Sequence, residues 1–162
     1  MLAGAAFRLC ADMPTDWQRV AAYVVAQDSQ GRVLLTQFEK QGHPQSGAWT
    51  LPGGGMEWGE QAIDTALREL EEETGLNGEI GALLGTPAQW FDESASDSGS
   101  RGLALRIVFE ARNCLGELQK SFHHDNTTVA AAWFTVNEIK QLKRVSVVDF
   151  GLSLKLGENA KT

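Results

Sequence analysis

The spacing of apolar positions changes several times along the chain, and each change marks a predicted element. Val20 to Gln27 is rich in Ala and Val with one Tyr, and reads as a buried strand. Asp28-Ser-Gln-Gly31 is a turn signal, and Arg32 to Phe38 follows as a second strand, so the two are expected to pair as a hairpin. Gln41 to Gly47 is a polar loop with Gly and Pro, Trp49 to Leu51 is short and β-prone, and Pro52-Gly-Gly-Gly55 is expected to end it. From Glu60 to Thr74 the period becomes helical. Ile63, Ala66, Leu67, Leu70 and Thr74 make one core-facing stripe, and Gly75 stops the helix at a C-cap position. Strands are expected near Ile80 to Leu84, Leu103 to Ala111 and Ala130 to Phe134, a helix start near Asn137, and an amphipathic stretch from Val147 to Leu156. Asp92 to Arg101, with its Ser, Asp and Gly, reads as a mobile loop. Helices on a mixed sheet, an α/β sandwich, is the architecture this order predicts.

A length of 162 residues suits one domain, and 43% hydrophobic with 22% charged residues is a globular composition. No apolar run approaches the roughly 20 residues that span a bilayer. Met1 to Cys10 has one basic residue and an apolar stretch broken at Arg8, a poor signal peptide, so a cytoplasmic protein is expected. Cys10 and Cys114 lie far apart, without metal-ligand spacing, and read as reduced thiols. The net charge of -7 disfavours a long nucleic acid as partner. It leaves room for a small phosphorylated ligand, because bound divalent cations invert the local field. There is no G-x-x-x-x-G-K-[ST] loop and no H-E-x-x-H pair, so neither a P-loop nor a zincin mechanism has support.

At about 100° per residue, Glu69, Glu72 and Glu73 fall together on one face of the predicted helix, while Glu71 points to another side, near Glu60, Asp64 and Arg68. Clustered carboxylates repel one another, and hard cations such as Mg²⁺ or Mn²⁺ relieve that repulsion. A run of glutamates alone is equally what a solvated acidic face looks like. The residues around it add more. Gly54, Glu60, Arg68, Glu69, Leu70, Glu72, Glu73, Gly75 and Leu76 read G-x5-E-x7-R-E-L-x-E-E-x-G-L, which resembles the signature box of the Nudix hydrolases at every specified position. Trp49 to Gly55 is similar to the strand and turn that lead into that box. Trp133 to Ile139 is similar to the closing strand and helix start, and the family order can be followed from Val20 to Ile139.

The resemblance implies the Nudix fold, a mixed sheet sandwiched between helices, in a single domain with a core of about 18–156. It also implies metal-dependent hydrolysis of a nucleoside diphosphate linked to another group, with a nucleoside triphosphate or similar small nucleotide as the expected substrate. An ADP-ribose or nucleotide-sugar pyrophosphatase is the alternative within enzymes, and a non-catalytic nucleotide-sensing module the alternative outside them. Carried over residue by residue, Glu69, Glu72 and Glu73 are expected metal ligands, with the carbonyl of Gly54. Glu69, Glu72 and Arg68 form the expected catalytic group, Glu69 being the one chosen to orient or deprotonate water. Arg68 and Glu60 are expected on a helix face separate from the cluster, orienting ligands rather than binding metal. Glu57 has reach toward a further metal or is a solvated turn residue, and Trp58 is expected to cover the core beside the turn.

The chain also departs from the family pattern. The loop that often carries an extra acid reads His123-His-Asp-Asn-Thr-Thr128, leaving Asp125 as the candidate ligand, with His123 and His124 read as plain loop histidines. Gln37 stands where many members place a basic residue, so Lys40, Arg101 and Arg106 are the substitutes considered for substrate phosphate. Trp90 and Phe91 are candidates for stacking on a nucleobase, with a core role as the alternative. The expected partner is the small nucleotide, with no membrane, and a homodimer is left open.

Overall fold

The computed structural model describes residues 16–92, 100–120 and 127–156. Eight strands and three helices follow one another as β1 (Trp17–Ala26), β2 (Val33–Phe38), β3 (Ala48–Thr50), β4 (Gly53–Gly55), α1 (Ala62–Thr74), β5 (Asn77–Gly85), β6 (Ala88–Phe91), β7 (Gly102–Leu115), β8 (Thr128–Phe134), α2 (Val136–Ile139) and α3 (Ser146–Leu156). They build two sheets. One is mixed, in the order β4-β1-β7-β5 with β6 also on β7, and β1 runs parallel to β7. The other is antiparallel, in the order β3-β2-β8. The expected α/β class stands.

The expected hairpin of the first two strands is corrected. The turn is there: Asp28 accepts from the Gly31 N–H, donates its own N–H to Arg32, and holds the Arg32 guanidinium at 2.7 Å. After a single bridge from Gln27 to Val33 the strands part, β1 into the mixed sheet and β2 into the small one. Strand β1 already has β4 on one edge and β7 on the other, so no edge remains for β2. Pro52-Gly-Gly-Gly55 is corrected as well, since its glycines are themselves a strand.

Helix α1 starts later than expected, at Ala62 after Gln61, so Glu60 lies in the preceding turn. Gly75 ends it in the left-handed region at φ 78°, returning its N–H to Glu71 O, as the C-cap reading required. The buried stripe is rotated from the expected one. Ile63 is exposed, and Thr65, Ala66, Leu70, Glu73 and Thr74 are buried. Ala66 and Leu70 pack on Ala22, Val24 and Phe109, one face of the mixed sheet, with Leu34 from the small sheet. The opposite face, including Val25 and Val108, meets Val147, Val148 and Leu152 of α3 together with Leu35 and Leu51. Each fully buried Leu contributes about 1.5–3 kcal/mol. Trp58, expected to cover the core, is fully exposed instead. Among the described residues, no helix is long and apolar enough to cross a membrane.

Candidate active site

The site is built where α1 passes the edge strand β4. Val24 N donates to Pro52 O and Met56 N to Val20 O, so the alternating ladder turns Gly54 toward Ala22 and turns the polar groups of Gly53 and Gly55 outward. The outward groups meet α1. Gly53 N donates to Glu73 Oε2 at 2.9 Å, and Arg68 Nη2 reaches Gly55 O at 3.4 Å. The expectation that the carbonyl of Gly54 faces the carboxylates is therefore corrected, because its ladder bond points the other way. What Gly54 supplies is space: a Cβ there would lie 2.2 Å from Glu69 Oε1.

Arg68 organises the carboxylates. Its Nε donates to Glu60 Oε1 at 2.7 Å, and its Nη1 donates to Glu69 Oε1 at 3.0 Å and to Glu72 Oε2 at 3.1 Å. It was expected with Glu60 on a separate face; instead it bridges Glu60 to the pair. The Arg68 hydrogen bond, helped by the Glu57 N–H and the Thr65 hydroxyl, holds Glu60 down to about 2. The bond to Glu60, with Glu69 adding to it, pushes Arg68 above its ordinary value in spite of its partial burial. Glu69 goes the other way. Burial raises it, against the lowering influence of Arg68, and the Glu72 charge adds to the rise. Glu72 is the exposed member, with its side chain 55% accessible.

Glu73 is not presented with the other two. It is 7% exposed. Its carboxylate accepts from Thr128 Oγ1 at 2.6 Å, Gly53 N at 2.9 Å and Thr36 Oγ1 at 3.3 Å, which fastens α1 to both sheets. Burial drives it up to about 7 in spite of those three donors. Among the described residues no group of three His, Cys, Asp or Glu is arranged as a cation cage. Two carboxylates one helical turn apart and the outward carbonyl of Gly53 are nevertheless hard oxygen donors of the kind a small divalent cation takes.

The other expected residues scatter. Glu57 is exposed and meets Glu60 through its backbone, its N–H donating to Glu60 Oε2 and its carbonyl accepting from Glu60 N. Lys40 is exposed, four residues beyond Thr36, with its N–H on Ser46 Oγ. Gln37 donates to Gly47 O. Arg101 pairs with Asp16 at 2.8 Å, at the far end of the mixed sheet. Trp90 is 76% exposed, and its register partner Leu103 places it on the face opposite Phe91, which packs against Trp17 with ring centroids 5.4 Å apart. Of the candidates for substrate phosphate, Arg106 alone lies on the face next to β4, buried, with Nη1 donating to Ser146 Oγ at 3.0 Å. His123, His124, Asp125 and Cys10 lie outside the described residues. Cys114 is half-buried, and burial raises its thiol.

Two residues beside the site went unnoticed in the sequence. A Cβ on Gly55 would lie 3.3 Å from Arg19 Nε, and one on Gly53 would collide with the Tyr23 ring. Arg19, Ala21 and Tyr23 alternate along β1, so the period-two pattern carried the signal once the strand was extended back to Trp17.

Known proteins resemble this chain in sequence and in fold. The family described as NUDIX domain matches residues 17–152. An ADP-ribose pyrophosphatase from Methanocaldococcus jannaschii is 30% identical over 115 residues, 71% of this chain and 61% of that protein. The human 8-oxo-dGDP phosphatase NUDT18 is 34% identical over 124 residues, 75% of this chain and 34% of that protein. A putative mutator protein MutT4 of Mycobacterium tuberculosis is 41% identical over 80 residues, 49% of this chain and 26% of that protein. This chain thus spans between a quarter and three fifths of these curated relatives' lengths. A MutT protein from Methanosarcina mazei Go1 has the same fold, at a TM-score of 0.69 and 21% identity over 91% of this chain and 99% of that one.

Proposed function

This chain belongs to the NUDIX family, and from that premise we propose that it hydrolyses a phosphoanhydride bond of a small nucleotide, with a divalent cation, Mg²⁺ or Mn²⁺, at Glu69 and Glu72. The observation that carries the reading is the pair itself. Two carboxylates one turn apart are gathered by one guanidinium beside a glycine strand whose missing side chain at Gly54 makes room for the Glu69 carboxylate. Such a cation would supply neutralisation of the charge that develops on phosphate. Glu69 and Glu72 would hold it, with the outward carbonyl of Gly53 at hand. A water oxygen bonds to phosphorus, the bridging P–O bond breaks with its electron pair leaving on the other phosphate, and Glu69 accepts the water proton. Glu69 is proposed for that task because Arg68 holds its carboxylate beside Glu72 and against strand β4. Arg68, fixed by Glu60, orients both carboxylates.

The substrate is proposed to be a nucleoside triphosphate or a diphosphate of similar size. ADP-ribose is the second reading, motivated by the pyrophosphatase relative of that name. A hydrolysis screen over nucleotides with Mg²⁺ or Mn²⁺, resolving the products, decides between them. We expect EDTA to abolish turnover and either cation to restore it. Undiminished turnover in metal-free buffer would overturn the mechanism, and absence of turnover on every nucleotide would favour a binding module.

A further inference from the structure

The face of the mixed sheet that meets α3 carries two cations that the carboxylate site does not use. Arg19 on β1 and Arg106 on β7 point to this face, and the parallel register sets Ala104 beside Arg19 and Ala21 beside Arg106. Arginine and alanine thus alternate over four neighbouring positions. With strands about 4.8 Å apart and two residues of offset, the arginine Cα atoms lie about 8 Å from one another. Ala21 and Ala104 are buried, and Gly55 adds no side chain beside Arg19.

Arg106 is 8% exposed, and its partners are hydroxyls, those of Ser146 and Tyr23. Among the described residues no carboxylate pairs with it. Ser146 opens α3 and passes its own proton to Gln89 Oε1 at 3.1 Å, so the Arg106 fork is held in place by neutral groups. Burying a cation without a counter-charge costs several kcal/mol, and a second arginine beside it adds repulsion. Desolvation and the Arg19 field both lower Arg106 from its ordinary value. A fold that only needed packing here would be served by an apolar residue. An anion that accepts from both forks removes the penalty.

The geometry points to a phosphate-binding subsite formed by Arg19 and Arg106 on the sheet face opposite Glu69, with Arg19 beside Gly55 of β4 and Arg106 two strands in from β4, on β7. Resting on the hydrolase reading above, the subsite takes the phosphate on the far side of the scissile bond, the one that water does not attack. Substrates are then diphosphates in which both phosphates carry charge, and Arg106 is a binding residue fixed by Ser146 and Tyr23.

The test separates this subsite from the metal site by removing metal. Inorganic pyrophosphate is titrated calorimetrically into the full chain in EDTA, alongside a nucleoside that carries no phosphate. We expect one pyrophosphate per chain, binding at least tenfold weaker in Arg19→Gln and in Arg106→Met, intermediate in Arg106→Lys, and unchanged in Glu71→Gln. Glu72→Gln should lose metal-dependent turnover yet keep its binding of pyrophosphate. If Arg106→Met fails to fold by circular dichroism, Arg19→Gln decides, because that side chain is exposed. The subsite is overturned by absence of pyrophosphate binding in EDTA or by binding in both arginine variants as tight as in the unaltered protein. It is also overturned if Arg106→Met weakens the nucleoside as much as the pyrophosphate, which would make Arg106 a reader of the base. Binding of pyrophosphate by a protein that hydrolyses no nucleotide would sink the hydrolase reading and leave the subsite standing.

Discussion

At the scale of single residues, four neighbouring glutamates have three different fates, and the helix wheel foresaw part of this. Glu71 points away from the cluster and Glu69 and Glu72 are gathered, as their spacing required. The burial of Glu73 was not legible, because a wheel gives an angle and not what lies across from it. Here Thr36, Gly53 and Thr128 lie across from it, brought in from three distant strands. Two expectations follow for steady-state kinetics and denaturation. Glu72→Gln lowers kcat by two orders of magnitude or more with the melting temperature retained, while Glu71→Gln is neutral; equal damage from both would refute the arrangement. Glu73→Ala leaves three donors, two of them buried, without their acceptor and costs about 3 kcal/mol in urea unfolding, whereas Glu73→Gln, which keeps an acceptor oxygen, costs less than half of that.

Elements were legible where local chemistry sets them and illegible where a non-local partner does. The 28–31 turn and the Gly75 cap followed from residue type, and the α2 start expected near Asn137 is fixed one residue earlier, at Val136, by Thr135, whose hydroxyl and Glu138 cap each other. The pairing of β1 was not legible, since a sequence cannot show that both its edges are taken. Strand β6 was missed because four residues show too little alternation. Strand β4 offers a direct test. Gly54→Ala puts a methyl where the Glu69 carboxylate lies, so turnover should fall at least tenfold while the far-UV spectrum is unchanged; full activity would mean that the carboxylate sits elsewhere. For α3, Lys155 near its C-terminal end is paired with Glu110 of β7, which Arg112 also holds at 2.8 Å. These two cations hold Glu110 down to about 2, below the ordinary carboxylate value. The sign follows: a depressed carboxylate contributes stability above pH 4.5 and loses it as the pH falls from 4.5 toward 2. Lys155→Met should therefore lower the melting temperature by about 2–4 °C at pH 7 and make little difference at pH 2.5. A pH-independent gap would return the pair to packing alone.

On the scale of the whole molecule, α1 belongs to both sheets, joined to the mixed one through Ala66 and Leu70 and to the small one through Glu73. The cation site proposed on its outer face would consequently be coupled to global unfolding. Mg²⁺ at 100 times its dissociation constant should add about 2.7 kcal/mol of stability, and Glu72→Gln should lose most of that gain in a thermal scan. An equal Mg²⁺ shift in the two proteins would point to screening of the net charge of -7 instead. The sandwich class was readable from the alternation of strand and helix periods, while its division into two sheets was not, because both draw on the same chain segments in sequence order. The bare glycine ribbon of β4 then acquires a chemical meaning of its own. If Glu69 and Glu72 take the cation on one side of it and Arg19 and Arg106 take a phosphate on the other, as proposed, an unsymmetrical diphosphate can be laid across in only one direction. Regiochemistry is thereby written into the backbone: hydrolysis in H₂¹⁸O should place the label on one of the two phosphate products and leave the other unlabelled.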